Sequence, residues 1–170
     1  MHTTVADSWQ WHSLTSDVRE VIQRHQRSAP VDLVGLTRDL GLTVKAATLA
    51  PGKSGEIRPY GPDRYIIRVN RHDNPARQRF TVAHEIAHYL LHRPLIGTGI
   101  SDDALYRSNQ SSSIEAEANR LASDIIMPAN LVNNALAVAH TLGVTDVREA
   151  LADTFKVSPA AMGIKLGIVD

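Results

Sequence analysis

Two histidines and a glutamate near the middle of the chain have the types and spacing of a catalytic metal site. His84, Glu85 and His88 lie in the run FTVAHEIAHYLLHR. On an α-helix the two histidines are one turn apart, about 6 Å along the axis, so both rings can turn a nitrogen toward one ion. Glu85 is rotated by about 100° from His84 and is better placed to take a proton from a water at that ion. The pattern therefore predicts a metal site with a glutamate base.

A hydrolytic metal site of this kind needs a third protein ligand and one position for water. The sequence has no cysteine, which favours a carboxylate, and Glu115 and Glu117 are the only glutamates between Glu85 and Glu149. Glu115 is favoured because Asn119, four residues later, could hold the second nitrogen of a ligating histidine. The alternative is that Glu115 closes a capping box at the start of its own helix, which would leave Glu117 as the ligand.

Two further side chains are candidates for substrate contacts. His92 repeats the four-residue step, but three ligands from one helix would spread too far along its axis to surround one ion. It is expected either to polarise a substrate carbonyl or to cap the helix C-terminus as a cation. Tyr106, between the two motif helices, could donate to an oxyanion, with ordinary packing as the alternative.

The histidine helix must be positioned by the elements around it. Its start is predicted at Asp73 or Asn74, with Pro75 in the first turn. Its apolar residues fall on one side, away from the histidines, and predict the core face: Phe80, Ala83, Ala87, Leu90 and Leu91. Two helices are predicted upstream in 15–41, followed by three short strands, LTVKAA, GEIRP and RYIIRVN. The glutamate helix is predicted at 113–127, after a long loop at 93–111.

Composition limits the classes of protein to consider. Lys plus Arg and Asp plus Glu both number 18, so no net charge draws the chain to nucleic acid or to an anionic membrane. The C-terminal helices around Ser158 have helix-turn-helix spacing, but the second is apolar with Lys165 as its only cation, so direct DNA binding is not expected. The sequence shows no leader and no run of eighteen apolar residues, and we expect a cytoplasmic protein without membrane association.

The two motifs together resemble those of a known family. RQRFTVAHEIAHYLLH followed by EAEANRLASDIIMP is similar to the ImmA/IrrE metallo-endopeptidases, and the similarity covers roughly residues 31–167. The resemblance implies a zincin that holds one zinc ion per chain through His84, His88 and Glu115, with Glu85 as the catalytic acid and base. Members of the family cleave or otherwise inactivate helix-turn-helix repressors, in stress responses among other settings.

The motifs and the family resemblance together predict the fold, the domain organisation and the function. The fold is α+β: a mainly helical zincin-like core with a small three-stranded antiparallel sheet and a C-terminal helical portion. Residues 1–14 form an extension, 15–128 the core and 129–170 the C-terminal portion packed on it. The expected function is zinc-dependent cleavage or inactivation of a regulatory protein, a helix-turn-helix repressor. The alternative is a non-catalytic regulator that keeps the fold and sequesters a repressor or acts as an antitoxin-like partner.

Overall fold

The structure, a computed structural model, describes residues 4–97 and 109–168. Within these ranges nine helices and three strands form a mainly helical α+β fold, which confirms the predicted class. In chain order the elements are α1 (Trp9–Ser13), α2 (Ser16–Gln23), α3 (Leu33–Asp39), β1 (Leu42–Ala47), β2 (Gly55–Pro59), β3 (Tyr65–Asn70), α4 (Pro75–Leu91), α5 (Arg93–Ile96), α6 (Asn109–Ile126), α7 (Ala129–Thr141), α8 (Val147–Phe155) and α9 (Pro159–Leu166).

The three strands form a mixed sheet rather than the antiparallel one that the sequence predicted. Their order is β1-β3-β2. Strands β2 and β3 are antiparallel, with Gly55 opposite Val69, whereas β1 and β3 are parallel, with Leu42 opposite Tyr65. The prediction assumed that strands consecutive in sequence are neighbours, which holds in most sheets. Here β3 lies between β1 and β2, and β1 runs in the same direction as β3.

Helix α4 begins where the sequence places it. The Asn74 side chain accepts a hydrogen bond from the Arg77 backbone N–H, and Pro75 occupies the first position, where a missing N–H costs nothing. Of the predicted core residues, Ala83 and Ala87 are fully buried. The helix packs against the sheet and also against α6, so its histidine side is covered as well. The side that carries the histidines, which the sequence distinguished from the main core face, thus lies against α6.

Helix α6 holds the N-terminal segment and α9 in place through one buried carboxylate. Asp124 is 2% exposed and accepts hydrogen bonds from the backbone N–H and hydroxyl of Ser8. Its other oxygen lies 3.0 Å from Nζ of Lys165 on α9. The single cation of α9 is thus committed to an internal ion pair. Val5 also exchanges two backbone hydrogen bonds with the Asn133 amide of α7, which fixes the segment before α1.

The ends of several elements differ from the sequence expectation. α1 lies within the predicted extension, α5 lies at the start of the predicted loop, and α6 begins four residues earlier than expected. Among the residues described, no helix combines the length and apolar character needed to cross a membrane. The division at residues 14 and 128 stays a prediction.

Candidate metal centre

Helices α4 and α6 bring three predicted ligands to one point. The Nε2 atoms of His84 and His88 are 3.1 Å apart, and each lies 3.0 Å from an oxygen of the Glu115 carboxylate. His88 is almost completely buried, and Glu115 retains about a third of its side-chain exposure. The site is therefore enclosed on the α4 side and open toward solvent near the glutamate.

The three donors have the chemistry and spacing of a zinc site. Zinc bound at 2.0–2.1 Å holds its donors about 3.3 Å apart at the corners of a tetrahedron. The separations here, 3.0 to 3.1 Å, are within a few tenths of an ångström of that value. Two imidazoles and one carboxylate would leave the fourth corner for water. The same nitrogen and oxygen donors also suit other divalent ions.

The Nδ1 atoms of His84 and His88 both have hydrogen-bond partners, and these partners determine which nitrogen of each ring carries the proton. Nδ1 of His84 lies 2.8 Å from Oδ1 of Asn119, an oxygen that can only accept. His84 therefore carries its proton on Nδ1, and Nε2 offers a lone pair to the centre. Nδ1 of His88 lies 3.0 Å from Nδ1 of His92. The structure thus places Asn119 where the sequence reasoning expected it, beside a candidate ligand on the neighbouring helix.

Glu85 is a buried carboxyl beside these ligands. It is 6% exposed, and burial raises its pKa to about 7, with neighbouring charges acting in both directions. A carboxyl group that titrates near neutral pH can accept a proton and then return it. The position and the pKa of Glu85 therefore both suit an acid–base role.

The pKa values of the three candidate ligands are shifted in different directions. Burial alone would raise the pKa of the Glu115 carboxyl, but the hydrogen bonds with His84 and His88 hold it well below its usual range. Burial lowers the pKa of His88. Burial also acts to lower the pKa of His84, but the hydrogen bond with Glu115 and the charges of Glu85 and Glu115 together outweigh it, so the pKa is raised. An ion at this site therefore meets an ionised carboxylate and must compete with a proton for His84.

Glu115 and Glu117 have different neighbours in the structure. Because α6 begins at Asn109, Glu115 lies well inside the helix and not at its capping position. Glu117 instead lies near His92, with Oε1 3.7 Å from Nε2 of that ring. The backbone N–H of His92 donates to the His88 carbonyl and ends α4. Tyr106 lies outside the described residues.

A cleft of about 780 Å³ leads to the three ligands. Its walls come from β2, α4, α6, α9 and the segment before α1. Sequence reasoning missed two of these contributions, residues 6–8 and α9. The sequence did contain a signal for these contacts. Asp124 ends an apolar helix face and Lys165 lies within an apolar helix, and charged side chains are rarely buried without a partner of opposite charge.

Strand β2 approaches α4 so closely that one of its residues has no room for a side chain. A Cβ at Gly55 would overlap the Thr81 methyl group and would lie 3.7 Å from Oε1 of Glu85. Gly55→Ala should lower the free energy of unfolding by about 1–3 kcal/mol, because β2 and α4 must move apart. Urea denaturation measures the change, and Gly97→Ala is the matched control, since a Cβ there meets no atom of the described residues within 4 Å. Equal stability of the two variants would contradict the close packing.

Comparison with known proteins agrees with this geometry. Residues 37–166 match the model of a peptidase family described as IrrE N-terminal-like domain. The chain is 35% identical over 85 residues to the radiation response metalloprotease IrrE of Deinococcus deserti, an alignment covering 45% of this chain and 27% of that protein. It is 31% identical over 104 residues to the metallopeptidase ImmA of Bacillus subtilis, covering 61% of this chain and 56% of that one.

Similarity to a solved structure concerns the fold alone. A Mycobacterium tuberculosis transcriptional regulator superposes with a TM-score of 0.56 at 19% identity. The superposition covers 88% of this chain and 46% of the regulator. The chain therefore spans only part of each of these three proteins.

Proposed function

The chain belongs to the peptidase family with an IrrE N-terminal-like domain, and we propose that it is a zinc-dependent endopeptidase whose substrate is a helix-turn-helix transcriptional repressor. The observation that carries the proposal is the meeting of His84, His88 and Glu115 beside the buried Glu85. The names of the two curated relatives, a metalloprotease and a metallopeptidase, support the same chemistry. A repressor substrate places the proposed activity in the cytoplasm.

The residues of the site divide the work of peptide hydrolysis. A zinc ion held by His84, His88 and Glu115 would polarise the scissile carbonyl and lower the pKa of the attacking water. Glu85 would accept the proton of that water and later deliver it to the leaving amine nitrogen. Burial raises the pKa of the Glu85 carboxyl to about 7, which helps it to release an accepted proton, and a bound cation would favour the ionised form that accepts one. Asn119 would keep the ring of His84 oriented throughout.

The cleft offers a polypeptide a place beside these groups. β2 lies at an edge of the described sheet, and Gly55 on that strand lies beside Glu85. An extended substrate segment can pair with a free strand edge through its backbone. Across the cleft, α9 contributes apolar lining, including Ala161 and Ile164. We propose that the substrate binds as an extended segment along β2, with side chains toward α9.

The alternative, a regulator that only sequesters its partner, accounts less well for Glu85. Burial of an unpaired carboxyl group costs free energy. Proteins keep such a group mainly where it performs a function. A protein that only binds a repressor would gain nothing from a buried acid beside three convergent ligands. The geometry therefore favours hydrolysis over sequestration.

The proposal is tested by incubating the zinc-loaded protein with the helix-turn-helix repressor encoded nearest to its gene. Two fragments of the repressor should accumulate on a denaturing gel. A chelator should stop the cleavage, and added zinc should restore it, because the ligands bind the ion reversibly. Release of the repressor from its operator without any fragments would support the sequestering alternative instead.

A further inference from the structure

His88 is held on its outer side by a second histidine and a second glutamate. We propose that His92 and Glu117 position His88 for metal binding: the Glu117 carboxylate accepts a hydrogen bond from Nε2 of His92, and Nδ1 of His92 accepts one from the Nδ1–H of His88. The inference rests on the proposed metal site but not on peptidase activity. It assigns His92 and Glu117 to positioning rather than to substrate or metal contact.

The contact between the two rings fixes where their protons lie. Nε2 of His88 faces the Glu115 carboxylate and the ring nitrogen of His84, so a metal-binding His88 must carry its proton on Nδ1. That Nδ1 lies 3.0 Å from Nδ1 of His92, and both rings are buried, 1% and 8% exposed. The His92 nitrogen must therefore accept, which places the proton of His92 on Nε2.

The remaining nitrogen of His92 points to Glu117. Nε2 of His92 is buried and has no hydrogen-bond partner at normal distance among the residues that the structure describes. Oε1 of Glu117 lies 3.7 Å away, and a shift of about 0.7 Å by this half-exposed side chain would close a normal hydrogen bond. A buried N–H is rarely left unpaired, so the carboxylate is the partner that this ring requires.

This arrangement excludes the two roles considered for His92 from the sequence. A histidinium would carry a proton on Nδ1 and set it against the Nδ1 proton of His88, so a cationic helix cap conflicts with metal binding by His88. The ring is also not among the residues that line the cleft, which removes it from contact with a substrate carbonyl. Glu115 on α6 thus faces His84 and His88, and Glu117, two residues later, faces His92, one turn after His88 on α4.

The test compares three purified full-length variants for zinc affinity by competition with a chromophoric chelator. His92→Phe keeps the ring volume but removes both nitrogens, and it should weaken zinc binding by about 10- to 100-fold, as expected when a ligand loses its orienting partner. His92→Gln should retain most of the affinity, because its carbonyl can accept from His88 and its amide can donate to Glu117. His72→Phe, at an exposed histidine, should bind zinc as the wild type does.

A second measurement reads the proton directly. Nitrogen-15 NMR of the zinc-loaded wild type should show His92 protonated on Nε2 and not on Nδ1. Unchanged zinc affinity in His92→Phe would mean that the ring only fills space, and equal loss of affinity in His92→Phe and His92→Gln would mean that an acceptor for His88 and a donor to Glu117 do not support zinc binding. Either result, or a proton on Nδ1 of His92, overturns the inference. A wild type that binds zinc but cleaves nothing would defeat the proposed function alone.

Discussion

Replacing Glu85 by glutamine is expected to lower kcat for repressor cleavage by about 10²- to 10⁴-fold while the protein keeps one zinc ion per chain. This is the range that a positioned acid–base group contributes to proton transfer. Glutamine has nearly the same size and fills the same buried position, but its amide cannot take a proton from water. The three convergent donors come from His84, His88 and Glu115, so zinc binding should be preserved. Steady-state cleavage followed on gels gives kcat, and metal analysis of the same sample gives the zinc content.

The Glu85 result separates an enzyme from a binding protein. Glu20→Gln removes a carboxylate from the exposed surface of α2 and is the matched control, with wild-type cleavage expected. If Glu85→Gln and the wild type relieved repression equally and neither produced fragments, sequestration would be the function. If Glu85→Gln cleaved at the wild-type rate, the water would be activated without this carboxylate, and the proposed mechanism would be wrong.

The helix that carries the site could be predicted from the sequence because its signals are local. Asn74 and Pro75 mark its start, and the four-residue spacing of His84 and His88 requires only helical geometry to bring the rings together. Asn119 could be placed beside a histidine for a similar reason, since it lies one turn from Glu115 on the same helix. Each of these relations depends on residues close together in one element.

The parts that could not be predicted depend on how separate elements pack. Nothing within LTVKAA or YIIRVN states that β3 lies between β1 and β2, because strand order is decided by the connections and the packing of the whole sheet. The burial of Glu85 and His88 likewise follows from α6 covering the side of α4 that seemed polar. A wheel of one helix shows its apolar side but not a neighbour that covers the polar side with matching polar groups.

The second large expected effect is a loss of zinc binding when Glu115, the proposed third ligand, is replaced. Glu115→Ala should weaken zinc binding by more than about 100-fold, whereas Glu117→Ala should weaken it by no more than about 10- to 100-fold, the usual cost of losing an outer partner. Of the two glutamates, Glu115 is the one that places an oxygen 3.0 Å from each ligand nitrogen. Its removal would leave two imidazoles, too few to hold a tetrahedral ion firmly. Dialysis against a competing chelator, followed by metal analysis of each variant, compares them directly.

The losses of zinc affinity in the two variants can be compared directly, because both variants remove one carboxylate from the same helix. Both also remove one negative charge from α6, so a general electrostatic effect on zinc binding would be nearly equal in the two proteins. A larger loss in Glu115→Ala therefore reports direct coordination. A larger loss in Glu117→Ala would mean that the zinc-loaded protein turns α6 so that Glu117 binds the ion. In that case neither the proposed ligand set nor the positioning role of Glu117 would stand.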